Sequence, residues 1–259
     1  MCIFIVNSCE KAVYEGSDAQ KANFRFEKKI KETRKSIAEI SFIQKGCQNT
    51  KSNPTTLASE ELVVYMQFPC GVTPETETLF QNTNTIQELA SLIDNDGAIL
   101  QYAPNPTNSE YQITLPLETI TNSLNPLVQE SKQYLYSKGF SEQDIQKMLA
   151  DEKAPETDLI ALVMVVTQSE NGLLVAQNQL NLFSINTANA NVDWSEVGRC
   201  GLHALGVDIL FSVGMSGATV WSTAAIKTAF KSVAKRMLGP VGVAIAVVDF
   251  GFCMGGVEI

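Results

Sequence analysis

The segment from Leu238 to Val257 constrains the fold more than any other part of this chain. Its twenty residues include a single charged side chain, Asp249. As a helix the segment would be about 30 Å long, which matches the hydrocarbon thickness of a bilayer. A stretch this apolar leaves water, either by entering a membrane or by being buried in a protein core.

An amphipathic helix is predicted just before this segment, from about Ser222 to the stop signal Gly239-Pro240. Its apolar face comprises Ile226, Phe230, Val233 and Met237. Lysines recur every fourth residue beside that face, and Trp221 precedes the helix. The candidate membrane-interaction residues are Trp221, Lys227, Lys231, Lys235 and Arg236. On a membrane, the lysines would contact anionic headgroups and the tryptophan would act as an interfacial anchor.

Two interpretations of residues 197–259, the C-terminal module, stay open. In its small residues and scattered lysines the module resembles the helical modules of bacteriocins and other bacterial pore-forming proteins, which implies a membrane-active toxin with the lipid bilayer as partner. The alternative is a helical hairpin buried in one α-rich core. Asp208 and Asp249 favour the core, because an aspartate at the centre of a bilayer costs about 2.5–3.5 kcal/mol.

Charge is unevenly distributed along the chain. The net charge is −9, with +1 from Gly201 to Ile259 and −10 in the first 200 residues. We expect an acidic body that is complementary to the cationic helix and shields it before release. The acidic balance and the lack of a basic stripe interleaved with aromatics exclude nucleic acid as a partner.

The first residues point to export. Val6-Asn7-Ser8-Cys9, preceded by Ile3, Phe4 and Ile5, resembles the lipobox of bacterial lipoproteins, in which the cysteine accepts the lipid. The resemblance implies lipid attachment at Cys9 and a location in the cell envelope, in the periplasm or on the outer-membrane surface, or secretion.

The signal is shorter than the pattern requires. A signal peptide has a basic region and about 7–15 apolar residues, whereas about five apolar residues stand here and no lysine or arginine precedes Lys11. We infer that the coding sequence starts upstream of Met1. The alternative is a soluble protein whose first strand is formed by residues 2–6.

An exported chain would hold its remaining cysteines in an oxidising compartment, where disulfides persist. These residues are Cys47, Cys70, Cys200 and Cys253. Pairing 47 with 70 and 200 with 253 is the simplest of three connectivities. The alternative is four buried free thiols, as in a cytosolic protein.

The hydrophobic periodicity predicts a mainly α fold, with a helical body, a small β-hairpin and the C-terminal hydrophobic helical hairpin. Helices are expected from about Ala19 to Gln44, from Leu117 to Lys138, and after the capping residue Ser141. A strand is expected in residues 61–70, and a hairpin on either side of the loop 102–111. We divide the chain into a signal remnant and tether (1–18), an acidic body (19–183), a linker (184–196) and the module (197–259).

No catalytic constellation is visible. Cys200, His203 and Asp208 are close in sequence, but no oxyanion hole or substrate pocket is indicated. No metal ligand set or cofactor motif is found, so the prediction is no enzyme and no cofactor. The favoured function is a bacteriocin-like toxin or its precursor, with an immunity or processing protein as a further partner. The alternative is a surface lipoprotein of binding or structural type.

Overall fold

The computed structural model describes residues 18–45, 61–67, 73–96, 98–101, 111–167, 170, 221–235 and 239–255. In these ranges the helices are α1 (Asp18–Ala38), α2 (Pro74–Gln81), α3 (Ile86–Asp96), α4 (Leu117–Ser137), α5 (Glu142–Glu152), α6 (residues 158–167), α7 (Thr223–Ala234) and α8 (Gly239–Gly255). The strands are β1 (Ile43–Lys45), β2 (Glu61–Gln67), β3 (Ile99–Gln101) and β4 (Tyr111–Pro116). The prediction of a mainly α fold with a small β component is confirmed.

The four strands form one antiparallel sheet in the order β1-β4-β2-β3. Strands form on both sides of the 102–111 loop, as predicted, but β3 and β4 do not pair with each other. Each pairs with β2 instead. The sequence of β2, ELVVYMQ, is rich in the β-branched and aromatic residues that suit a central strand, which explains its position between them.

One face of the sheet belongs to the core. Directly opposed residues of an antiparallel pair point to the same side, and the register pairs Val64 with Ile113 and Met66 with Tyr111. All four side chains are at most 1% exposed. The ring of Tyr111 stacks on Phe80 of α2 at a centroid distance of 4.2 Å, which joins the helix to this face.

Helix α1 ends six residues before the predicted Gln44. After Ala38 the chain pairs with residues 84–86: the amide of Phe42 donates to Asn84 O and the amide of Ile86 donates to Ile40 O. These long-range bonds replace the helical ones, because the same backbone groups cannot serve both structures. The helix buries Phe26, Ile30 and Ile37, and it packs along α4.

Helices α4 and α5 follow the local signals closely. Helix α4 ends before Gly139, whose φ of +87° is one that glycine adopts without strain. Ser141 then caps α5, and its side chain accepts from the amide of Asp144 in the predicted capping box. The described residues of α6, 158–167, are all buried, and they contain the apolar run LIALVMVV.

Helices α2 and α3 are not among the predicted elements. Their region is rich in asparagine, threonine and proline, a composition typical of loops. Here those residues act as caps instead. Thr73 forms a capping box with Thr76 at the start of α2, and Glu88 accepts from the amides of Asn84 and Thr85 before α3.

Candidate functional site

Helix α7 carries the predicted lysine stripe and has the expected two faces. Ser222 caps its first turn by accepting from the amide of Ala225 at 3.2 Å. The buried side chains are Ile226, Ala229, Phe230 and Val233. Lys227, Lys231 and Lys235 are all exposed. The helix therefore contributes its apolar side to the core and presents cations to solvent.

Lys227 joins α7 to α5. Its ammonium donates to Asp144 Oδ1 at 3.0 Å and lies 5.6 Å from the centroid of the Phe140 ring. The two partners are 83 residues apart, and they belong to the acidic body and the C-terminal module respectively. The expected complementarity between body and cationic helix thus has one contact in the structure.

Asp144 serves two partners with its two carboxylate oxygens. Oδ2 accepts from the hydroxyl of Ser141 at 2.7 Å and from its amide at 3.2 Å, while Oδ1 accepts from Lys227. The hydrogen bond from the Ser141 hydroxyl and then the one from Lys227 lower the pKa of Asp144 from 3.8 to about 2. The carboxylate stays ionised at any physiological pH.

The other members of the membrane-interaction set differ in their placement. Lys231 and Lys235 form no ion pair with another described residue. Trp221 is only 8% exposed, so its indole packs in the core, and a role at a lipid surface would require it to leave that position. Arg236 lies outside the described residues.

Helix α8, which contains most of the apolar C-terminal segment, lies against α1, α3 and α4. Its buried side chains are Val241, Val243, Ala244, Ala246, Val247 and Val248, each at most 1% exposed. At 100° per residue these positions lie on most of the circumference of the helix, and Gly242, Ile245 and Asp249, which are only partly buried, lie together on the remaining side. A helix with so few polar residues is typical of a large core or of a membrane span.

Arg34 of α1 provides a polar contact with α8. Its Nε donates to the backbone oxygen of Val248 at 3.1 Å, across 214 residues of sequence. Burial lowers the pKa of Arg34, and the negative charge of Asp249 acts in the opposite direction. The single acidic residue of the apolar segment therefore interacts with a cation of the body.

Two buried ionisable groups were not singled out from the sequence. The Tyr134 hydroxyl donates to Glu170 Oε2 at 2.8 Å, and Lys138 also pairs with Glu170. Burial, and then the adjacent Glu170, raise the pKa of Tyr134. Asp158 opens α6 with 1% exposure, and burial raises its pKa to about 7. Asp158 directly precedes the apolar run LIALVMVV, and this position in the sequence could have indicated that it is buried.

The predicted lipid and disulfide sites are not described. Cys9, Cys47, Cys70 and Cys200 lie outside the described residues. Cys253 falls within α8, where the structure describes the backbone but not this side chain. Lipid attachment and both disulfide pairings stay predictions.

Across the described ranges, no helix is both long enough and apolar enough to cross a membrane. The same ranges contain no group of three histidine, cysteine, aspartate or glutamate side chains that could hold a metal ion. Comparisons with protein-family models, curated proteins and solved structures find no match to this chain.

Proposed function

We propose that this chain is a non-enzymatic binding or structural protein of the bacterial envelope, anchored through Cys9, in which the hydrophobic C-terminal segment is part of the core. Of the two interpretations of that segment, the contacts of α8 favour burial in the protein. The acidic surface and the lipobox-like start fit a protein that acts at the cell surface through binding.

The burial of α8 carries this proposal. Six of its side chains are at most 1% exposed, and three helices of the body contact it. Removing a helix of this kind would expose the apolar sides of α1, α3 and α4 to water. Burying apolar surface contributes about 25 cal/mol per Å², so a helix buried over most of its circumference contributes a large share of a domain's stability.

Deletion of residues 239–259 tests the assignment of α8 to the core. We expect the truncated protein to lose cooperative urea unfolding and to bind a dye for exposed apolar surface. The matched control is the full chain with Lys231 and Lys235 replaced by glutamine, which leaves the core intact. If the truncated protein kept a cooperative transition with unchanged stability, α8 would be a separate module and the proposal would fail.

A latent membrane-active protein is the second candidate, and the character of α8 favours it specifically. A mostly apolar helix that follows a helix with exposed lysines along the chain is the arrangement that a stored bilayer-inserting segment requires. In this proposal the body is the carrier, and the Lys227–Asp144 pair is one of the contacts that must break on release.

Leakage of dye from vesicles separates the two candidates. We expect the intact, folded protein to be inactive on vesicles containing anionic lipid, under either proposal. A latent toxin should become active when the carrier contacts are disrupted by mild denaturant or limited proteolysis, and the activity should fall when Lys227, Lys231 and Lys235 are changed to glutamate. Continued inactivity after disruption contradicts the latent-toxin candidate.

A further inference from the structure

A shallow groove of about 200 Å³ lies at one end of the sheet. It is lined by Ser41, Phe42, Ile43, Glu61, Thr114, Leu115 and Pro116. Sites for drug-sized ligands usually measure about 300–1,000 Å³. The groove is therefore of a size for one side chain or a comparably small group, and not for a cofactor.

The groove opens on the sheet face that points away from the core. The register places Ile43 and Val63 on either side of Thr114, and Glu61 opposite Pro116. Successive side chains of a strand point to opposite faces, so the neighbouring residues Ile113 and Val64 lie on the core face. Ser41, Ile43 and Glu61 are exposed, whereas Thr114 and Leu115 are buried, so the groove has an open rim and a closed floor.

The rim combines an apolar and an anionic group. Ile43 is 61% exposed, which is unusual for a large aliphatic side chain. A single exposed apolar residue does not by itself indicate a binding site, so a second feature is required. That second feature is Glu61, the only charged residue among the described residues that line the groove. An occupant with an aliphatic stem and a positive end would match both groups.

Main-chain pairing is a poor alternative at this edge. The amide of Phe42 and the carbonyl of Ile40 are already bonded to residues 84–86. The side-chain amide of Gln44 donates to the backbone oxygens of Phe80, at 2.6 Å, and Thr83. A partner strand would have to displace these contacts, so the groove is better suited to an inserted side chain than to strand addition.

We propose that this groove is a docking site for a lysine side chain of a partner protein, with the alkyl stem on Ile43 and Pro116 and the ammonium on Glu61. The net charge of −9 means that the protein as a whole also attracts a cationic partner. The inference rests on the proposed binding function and specifies the partner's chemistry for it.

The test is an NMR titration of the full chain with Nα-acetyl-lysine methylamide, using the norleucine analogue, which has the same four side-chain carbons but no ammonium group, as the neutral control. We expect the lysine compound to shift the amide resonances of residues 41–43, 61 and 114–116. Glu61→Gln should weaken its binding roughly threefold, the size of effect that one exposed ion pair supports. Glu77→Gln, which removes an exposed carboxylate of α2 outside the groove, should leave its binding unchanged.

Three results would overturn the proposed site. The norleucine analogue could bind as tightly as the lysine compound, or Glu61→Gln and Glu77→Gln could weaken binding of the lysine compound equally. The third is a set of chemical-shift changes spread over acidic residues elsewhere, with none at the groove residues. Because none of these measurements involves α8, their failure is distinct from a failure of the core assignment. Cooperative unfolding of Glu61→Gln in urea confirms that the variant is folded.

Discussion

Asp158 is a carboxyl group in the protein interior with an oxygen, Oδ1, that has no hydrogen-bond partner among the described residues. Burial alone accounts for its raised pKa of about 7. Since the unfolded chain has the ordinary pKa of 3.8, the unfolded state loses this proton first as the pH rises. The group therefore lowers stability progressively between about pH 4 and pH 7, and it has no further effect above that range.

Asp158→Asn should remove this pH dependence. We expect the wild type to lose a few kcal/mol of unfolding free energy between pH 4 and pH 8, at about 1.4 kcal/mol per pKa unit. The variant should have a flatter profile and be the more stable protein at pH 8, because the amide stays neutral. Urea unfolding at five pH values measures this. Asp151→Asn, an exposed aspartate of α5, is the control and should retain the wild-type slope.

Lys227→Gln should raise the pKa of Asp144 from about 2 without restoring 3.8. The hydrogen bonds from Ser141 are the larger cause of the low value and do not depend on Lys227. A carboxyl-detected NMR titration measures the change, and Lys231→Gln should leave the pKa unaltered. A return to 3.8 in the Lys227 variant would show that the capping bonds do not hold in solution.

Because α8 is closely packed, replacing one of its small buried residues by a larger one should destabilise the fold. Ala246 is 1% exposed, in a helix enclosed by α1, α3 and α4. Ala246→Leu should cost about 1–3 kcal/mol of unfolding free energy through overpacking. Ala224→Leu on the exposed side of α7 is the matched change and should alter stability by less than about 0.5 kcal/mol. Equal effects in urea unfolding would contradict the enclosed position of α8.

The helix ends that could be predicted are those determined by one or two residues at the helix terminus itself. Ser141 and Ser222 cap α5 and α7, and Gly139 takes the positive φ that ends α4, whereas α7 ends at Ala234, before the predicted stop at Gly239-Pro240. The end of α1 at Ala38 was not predictable in this way. It depends on pairing with residues 84–86, and no local pattern near Ala38 indicates so distant a partner.

The candidate site shows the same division between local and distant information. The two faces of α7 follow from the spacing of its residues, and the structure has them as predicted. The partner of Lys227 does not follow from spacing, because Asp144 was visible only as a capping residue of another helix. The groove was also not predictable from the sequence, since it combines β1, β4 and β2, with β4 between the other two strands.

At the scale of the whole molecule, α1, α3, α4 and α8 share contacts and should unfold together. Trp221, buried at the start of α7, reports on the C-terminal helices, whereas far-ultraviolet circular dichroism reports mainly on the body. In a Trp194→Phe background we expect the fluorescence and dichroism transitions in urea to coincide. A fluorescence transition at clearly lower urea would mean that the C-terminal helices detach first.

The contact between Arg34 and Val248 also sets a condition on biosynthesis. A ribosome must add more than two hundred residues after Arg34 before the carbonyl that it binds exists. Until then the apolar surfaces of α1 and α4 lack the helix that covers them, so the nascent chain cannot reach its final packing as it emerges. The packing of α1 and α4 is therefore completed only after α8 has been synthesised.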